Sequence, residues 1–166
     1  MTQTLARDPR LLAAVAWALT ALGSLVFAVV HLFAAIGGLV AEAGHDHEHG
    51  GHGHLEAYAE LAEPNSGFAW MVAVIYSLSI VPALLPLVLR GRPAAIATLA
   101  IGGLLALGSV VDGFNHGLVE GAVPALLTAL VAVGLPGAVA VVATIRWIRA
   151  AAPSRPSPAT AETTEA

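Results

Sequence analysis

Apolar residues run along the chain in four long stretches, each interrupted by few polar positions. A helix that crosses a bilayer needs about 20 consecutive apolar residues, and each stretch is long enough. The pattern therefore predicts transmembrane helices at residues 11–41, 68–89, 94–116 and 124–148.

The composition favours lipid over water as the surrounding solvent. Hydrophobic residues make up 57% of the chain and charged residues 11%, with a mean hydropathy of +0.80. Soluble domains carry about 25% charged residues, whereas a bilayer removes the need for a polar exterior around most of the chain. We therefore expect an all-α integral membrane protein, a four-transmembrane-helix bundle.

The basic residues predict how this bundle is oriented. All seven lie on one side of a four-span arrangement: Arg7, Arg10, Arg90, Arg92, Arg146, Arg149 and Arg155. The opposite loops, at 42–67 and 117–123, contain none. The positive-inside rule then places both termini in the cytoplasm and the bundle in the plasma (inner) membrane. Ala41–Glu42–Ala43 imitates a signal-peptide cleavage site, but the apolar run before it is roughly twice the ~7–15 residues of a signal peptide.

Prolines predict irregularities within the spans. Pro82 and Pro86 in the second span, and Pro136 in the fourth, lack the N–H that a helix needs and should kink it. The Pro- and Ser-rich tail, part of the cytoplasmic segment 149–166, has no apolar periodicity and is predicted to be disordered.

Small and aromatic residues predict helix contacts and membrane boundaries. Three glycines of the third span predict a surface that another helix can approach closely: Gly102, Gly103 and Gly108. Three tryptophans predict an aromatic belt at the two interfaces: Trp17 and Trp147 inside, Trp70 outside.

The loop between spans one and two is rich in histidine. It carries five histidines interleaved with two carboxylates: His45, Asp46, His47, Glu48, His49, His52 and His54. Neutral imidazole is the commonest protein ligand for transition metals, and histidine-rich tracts are typical of metal binding. Zinc, nickel or cobalt is predicted; copper(I), which prefers Cys and Met, is disfavoured because the chain has no Cys and two Met. The alternative is a polar spacer.

The same loop continues into a segment with helical periodicity. Residues 55–63 carry apolar side chains on one face and Glu56, Glu60 and Glu63 on another, which predicts a short amphipathic helix on the outer interface. Its glutamates either solvate the helix or extend the metal-attracting surface towards the membrane.

Three ionisable residues are predicted to meet in the outer part of the bundle. His31 lies 20 residues after Leu11, about 30 Å along a helix. Asp112 and His116 are i, i+4 neighbours at the end of the third span, a spacing that presents two ligands to one ion. Ionisable groups at membrane depth mark functional sites by default, so we expect His31, Asp112 and His116 to form a second metal site. Two histidines on different spans could alternatively ligate one haem.

The layout also resembles that of a known class. The Arg-flanked first span, acidic histidine-rich loop and kinked second span look like those of predicted cobalt-transporter membrane subunits, over spans one and two only. Zinc transporters carry similar loops on unrelated folds.

The expected function is binding of a divalent transition metal, with transport or sensing through the polar site. The alternative is a non-catalytic accessory subunit of a larger membrane complex, which would dock through its glycines. We do not expect an enzyme, since no nucleophile–base pair or phosphate loop is present. The expected partners are the lipid bilayer, the metal ion and further membrane subunits or copies of the chain, but no nucleic acid.

Overall fold

The computed structural model describes residues 8–45, 67–119 and 121–152, and every regular element within them is helical. The elements are α1 (Pro9–His45), α2 (Gly67–Leu78), α3 (Val81–Val88), α4 (Arg92–Val119), α5 (Val123–Thr128), a π-helical segment (Ala129–Gly134) and α6 (Leu135–Ala150). The histidine tract beyond His45, the predicted amphipathic helix and the C-terminal tail lie outside the described residues.

Among the described residues, three stretches of helix are long and apolar enough to cross a membrane. They are Pro9–Phe33, Arg92–Val119 and Val123–Ala150. The segment predicted as the second span is divided between α2 and α3. The class of all-helical membrane protein is thus supported, while the count of four spans stays a prediction.

A break separates α2 from α3 just before Pro82. The Ile80 N–H donates to the Ser77 carbonyl at 3.4 Å and the Ala83 N–H to the Ile80 carbonyl at 3.1 Å, a spacing of three residues instead of four. Pro82 has no N–H for the carbonyl four residues earlier, so the regular α-helical hydrogen bonding is interrupted there. The irregularity predicted at Pro82 is found as a break between two helices, whereas Pro86 lies inside α3 without dividing it.

The helical stretch Val123–Ala150 changes from α to π geometry before Pro136. The Leu135 N–H donates to the Leu130 carbonyl, five residues earlier. Pro136 cannot supply the N–H that would pair with the Ala132 carbonyl in an α-helix. Gly23 of α1 packs against that carbonyl so closely that a Cβ there would overlap it.

The core near the start of α1 is built around Trp17. Its indole is 2% exposed and packs with Ala13, Ala83 and Ala140. The Trp17 Nε1 donates a hydrogen bond to the Thr144 hydroxyl at 3.0 Å. Small residues let the helices approach, and the indole fills the space between them.

The two ends of the bundle differ in charge. Arg10 Nη2 donates to the Leu87 carbonyl at 3.4 Å, and Ala95 packs with Trp147. These contacts join the starts of α1 and α4 to the ends of α3 and α6. We call this the arginine end, which carries the five described arginines: Arg10, Arg90, Arg92, Arg146 and Arg149. The opposite end, the histidine end, carries His31, Asp112 and His116.

Two predictions about packing need correction. Trp17 and Trp147 are 2% and 5% exposed, so they are core residues and do not form an outward-facing belt; Trp70 is 64% exposed. Of the three glycines predicted to form a contact surface, only Gly102 is in close contact, against the Trp17 indole. A Cβ at Gly103 or Gly108 would meet nothing within 4 Å.

These contacts predict opposite effects of one substitution at two glycines. Gly23→Ala should destabilise the bundle by about 1–3 kcal/mol, because the new methyl group overlaps the Ala132 carbonyl. Gly103→Ala is the matched control, since its methyl group enters open space and alanine favours helix over glycine. Thermal unfolding of both variants in the same detergent checks this; equal melting temperatures would contradict the α1 contact.

Candidate polar site at the histidine end

The structure brings together the two histidines that the sequence placed on different spans. The rings of His31 on α1 and His116 on α4 have centroids 4.2 Å apart, in an edge-to-face arrangement with an interplanar angle of 65°. Asp112, one turn before His116, has its Oδ1 3.5 Å from His116 Nε2. The three predicted residues therefore form one cluster, which we call the His–Asp cluster.

Phe27 positions His31. It is 1% exposed and packs with Ala125, Ala129 and Val133 in the core of the histidine end. His31 follows it by one helical turn, with ring centroids 6.0 Å apart and the planes tilted at 44°. Because the phenyl ring is fixed in the core, the imidazole one turn later lies at the edge of that core, where it is partly buried.

Two glycines position His116 and Asp112. Gly113 packs against Ala129, with Phe27 Cε2 3.5 Å from where its Cβ would lie, and Gly117 packs against Leu126. A side chain at either position would hold α4 away from its neighbours. Each glycine directly follows a member of the cluster, so this close approach carries His116 to His31. Gly113 and Gly117 were missed by the sequence analysis, although their i, i+4 spacing is a known helix-contact signal.

The cluster opens towards the surface on its carboxylate side. The side chain of Asp112 is 53% exposed and that of His116 is 20% exposed. A separation of 3.5 Å is longer than a charge-assisted hydrogen bond of about 2.7–2.9 Å. The carboxylate is thus near the imidazole but loosely held, and it has room to move.

Helix α2 contributes a neighbouring polar side chain. Tyr76 of α2 is partly buried and lies within electrostatic range of Asp112. The Ser79 hydroxyl donates to the Ile75 carbonyl at 3.1 Å, so it caps its own helix.

The cluster does not have the geometry of an assembled metal site. Among the described residues, no three His, Cys, Asp or Glu side chains are arranged to hold a metal ion. Zinc ligands converge to about 2.0–2.2 Å from the ion, which would require the two rings to rotate out of edge contact and Asp112 to move towards them. Two imidazoles and one carboxylate would then supply three ligands and leave one position open.

The ring contact also bears on haem. A haem with two axial histidines lies between the imidazoles, whereas the rings of His31 and His116 touch each other with centroids 4.2 Å apart. This arrangement leaves no space for a macrocycle between them and argues against the haem alternative.

The predicted metal-binding loop leaves the bundle from this same end. Helix α1 has 37 residues, or about 55 Å of helix, which exceeds a hydrocarbon core of about 30 Å. It ends at His45, the first histidine of the tract, 14 residues after His31 and so about 21 Å further along the helix. The other predicted ligands lie outside the described residues: Asp46, His47, Glu48, His49, His52 and His54.

The chain matches no protein-family model, and no curated protein or solved structure matches it. Its function is therefore inferred from its own residues.

The ring contact predicts selective cross-linking. With cysteines replacing His31 and His116, one molecule of a short bifunctional thiol reagent should bridge both, because the rings they replace touch. The chain has no native cysteine to interfere. In the control pair, cysteines replace His31 and Leu118, which is 71% exposed on α4; it should take up two separate reagent molecules, as measured by intact mass. Two separate adducts on both pairs would contradict the contact.

Proposed function

We propose that this protein binds a divalent transition metal (zinc, nickel or cobalt) at its histidine-rich loop and passes or senses it through the His–Asp cluster. The observation that carries this proposal is that His31 contacts His116, which lies beside Asp112, at the histidine end of the bundle. Helix α1 continues from His31 to His45, the first histidine of the tract. Imidazole and carboxylate together form a donor set suited to these metals.

The two parts of the proposed pathway have different roles. The glycines of the tract make it costly to order, so the loop is suited to capture and release of an ion. Packing on Phe27 and at Gly113 and Gly117 holds the helices so that the donors of the His–Asp cluster lie near one another, while the two rings and Asp112 still have to reorient to bind an ion. This partial preorganisation lowers the cost of binding. Capture outside followed by binding at the cluster is the proposed order.

The proposed orientation is four spans with both termini in the cytoplasm of a plasma (inner) membrane. Gathering of Arg10, Arg90, Arg92, Arg146 and Arg149 at one end supports this orientation, because the positive-inside rule assigns such an end to the cytoplasm. The histidine end and the loop 42–67 then face outwards, towards an external supply of metal.

The second candidate is a non-catalytic accessory subunit. The open face of α4 favours it, since Gly103 and Gly108 have no neighbour within 4 Å of a Cβ and small residues are typical of helix contacts in membranes. The metal proposal also calls for a homo-oligomer or a membrane partner, because four spans are few for an independent transporter.

Removal of the two parts separately should reveal two kinds of binding site. When the five tract histidines are changed to serine, we expect one residual zinc site per chain. Adding His31→Ala to this protein should abolish the residual site. Adding Asn115→Ala instead, at an exposed position of α4, should leave the site intact. With the tract intact, His31→Ala should retain tract binding while metal-dependent uptake into vesicles falls to background. Calorimetry at pH 7.5 measures binding; at pH 5 affinity for the tract should fall more than about tenfold, because protons compete for imidazole nitrogen.

The controls decide between the two candidates. Loss of the residual site with Asn115→Ala as readily as with His31→Ala would remove the cluster from the metal pathway. If the serine-substituted protein showed no residual site, the cluster would also be removed from the metal pathway, and the accessory subunit would be favoured. Equal tract affinity at both pH values would mean that carboxylates, not histidines, bind the ion.

The orientation predicts labelling from opposite sides of the membrane. Single cysteines at Ser66 and Arg90 should react with an impermeant thiol reagent from outside and from inside, respectively. Arg90 is preferred to the adjacent Gly91, whose φ of +90° would strain any side chain. Labelling of both cysteines from the same side of intact cells would refute four spans.

A further inference from the structure

Three arginines lie at or beside one turn of the arginine end. The Arg10 guanidinium reaches across from α1 to the Leu87 carbonyl at 3.4 Å, three residues before Arg90. Gly91, with φ of +90°, reverses the chain, and α4 begins at Arg92. We call Arg10, Arg90 and Arg92 the arginine turn.

Within the described part of the chain, the arginine turn has little anionic compensation. The ion pair found among the described residues is the one between His116 and Asp112, at the opposite end. The nearby Asp8 carboxylate accepts the Arg10 backbone N–H at 2.9 Å and so caps α1. The Nη2 of Arg10 donates to Leu87 and its Nε is shielded from solvent, whereas the side chains of Arg90 and Arg92 are exposed. A guanidinium offers five N–H donors, so Arg90 and Arg92 present donors that a ligand can reach.

The surface beside the turn is apolar. Val88 is 76% exposed, and Leu87 and Leu89 about half exposed. On the other side, Arg92 lies at the head of a shallow groove that continues along Pro93, Ile96 and Ala97. Cationic donors at the head of an exposed apolar surface fit a molecule with an anionic head and a hydrocarbon tail.

We propose that the arginine turn binds the phosphate of an anionic phospholipid, whose acyl chain lies along the groove beside α4. Arginine binds phosphate through paired N–H donors with matching geometry, and basic clusters at membrane boundaries attract anionic lipids. The apolar groove distinguishes a lipid from free phosphate, which would gain nothing from it. This inference is independent of the proposed metal function.

Bound lipid stabilises the bundle at this turn. Like charges gathered at one turn repel one another, and a bound phosphate offsets that repulsion. A ligand that binds the folded state alone raises the melting temperature, and does so more as its concentration exceeds the dissociation constant. Phosphatidylglycerol should therefore raise the melting temperature of the full chain in neutral detergent, and phosphatidylcholine should not.

Native mass spectrometry of the full chain, titrated with phosphatidylglycerol, tests the site. Arg90→Gln and Arg92→Gln should each weaken lipid binding roughly fivefold; both side chains are exposed, so the fold is retained. Arg146→Gln, an exposed arginine of the same end outside the turn, is the matched control and should bind lipid as the unmodified protein does. Arg90→Lys keeps the charge but loses the paired donors, and should give an intermediate affinity.

Three results would overturn the proposal. Equal weakening by Arg146→Gln and Arg92→Gln would mean a diffuse attraction of charge with no site. Equal binding of phosphatidylglycerol and phosphatidylcholine would exclude recognition of net negative charge. Competition by glycerol phosphate at the concentration of the lipid would identify a free phosphate as the ligand, since that compound lacks the acyl chains.

Discussion

Close approach of helix backbones at glycine and alanine is the constraint on which the rest of this structure depends. In a bilayer, lipid tails are as apolar as any side chain, so helices associate through tight packing and not through exclusion of water. The buried core of the described helices is accordingly mostly alanine, with Trp17, Phe27 and Trp147 as its large side chains. Gly23 against Ala132 and Gly102 against Trp17 are the contacts that fix how far apart the helices lie. Pro136 affects the same contact from the opposite helix. It cannot donate an N–H to the Ala132 carbonyl, and the helix has π geometry there.

The His–Asp cluster is a consequence of this packing. The imidazole of His116 reaches His31 because Gly113 and Gly117 bring α4 close to its neighbours. Phe27, buried in the same contact, determines where His31 emerges from the core. The chemistry of the cluster is therefore sensitive to residues with no chemistry of their own. A larger side chain at Gly113 would move the two imidazoles apart although both histidines were still present.

Much of this could be predicted from the sequence, and the failures have a physical cause. Long apolar runs predict helices directly, and the i, i+4 pair of Asp112 and His116 follows once α4 is a helix. Depth along α1 predicted that His31 would lie level with them. The burial of Trp17 was not predicted, because its partner Thr144 is 127 residues away and only the folded bundle brings them together. The prediction of the glycine contacts failed for the same reason. Gly103 and Gly113 look alike in sequence, and they differ only in whether their face of α4 meets a neighbouring helix.

The depth of the cluster limits how one copy of this chain could act on a metal ion. Arg10 and His31 are 21 residues apart on α1, about 32 Å of helix and so about one hydrocarbon thickness. If the arginine end lies at one interface, the His–Asp cluster lies at the other, where ionisable groups are less costly than at the midplane. Between these levels the described helices carry no charged residue or histidine. The buried hydroxyls of Thr20, Ser24, Thr98 and Thr144 each donate to the carbonyl four residues earlier. Their oxygen atoms are neutral and lack the affinity of imidazole for a transition metal. Under the proposed function, a single bundle would bind metal at its histidine end, and movement of the ion across the membrane would call on a second copy or a partner to supply the polar path.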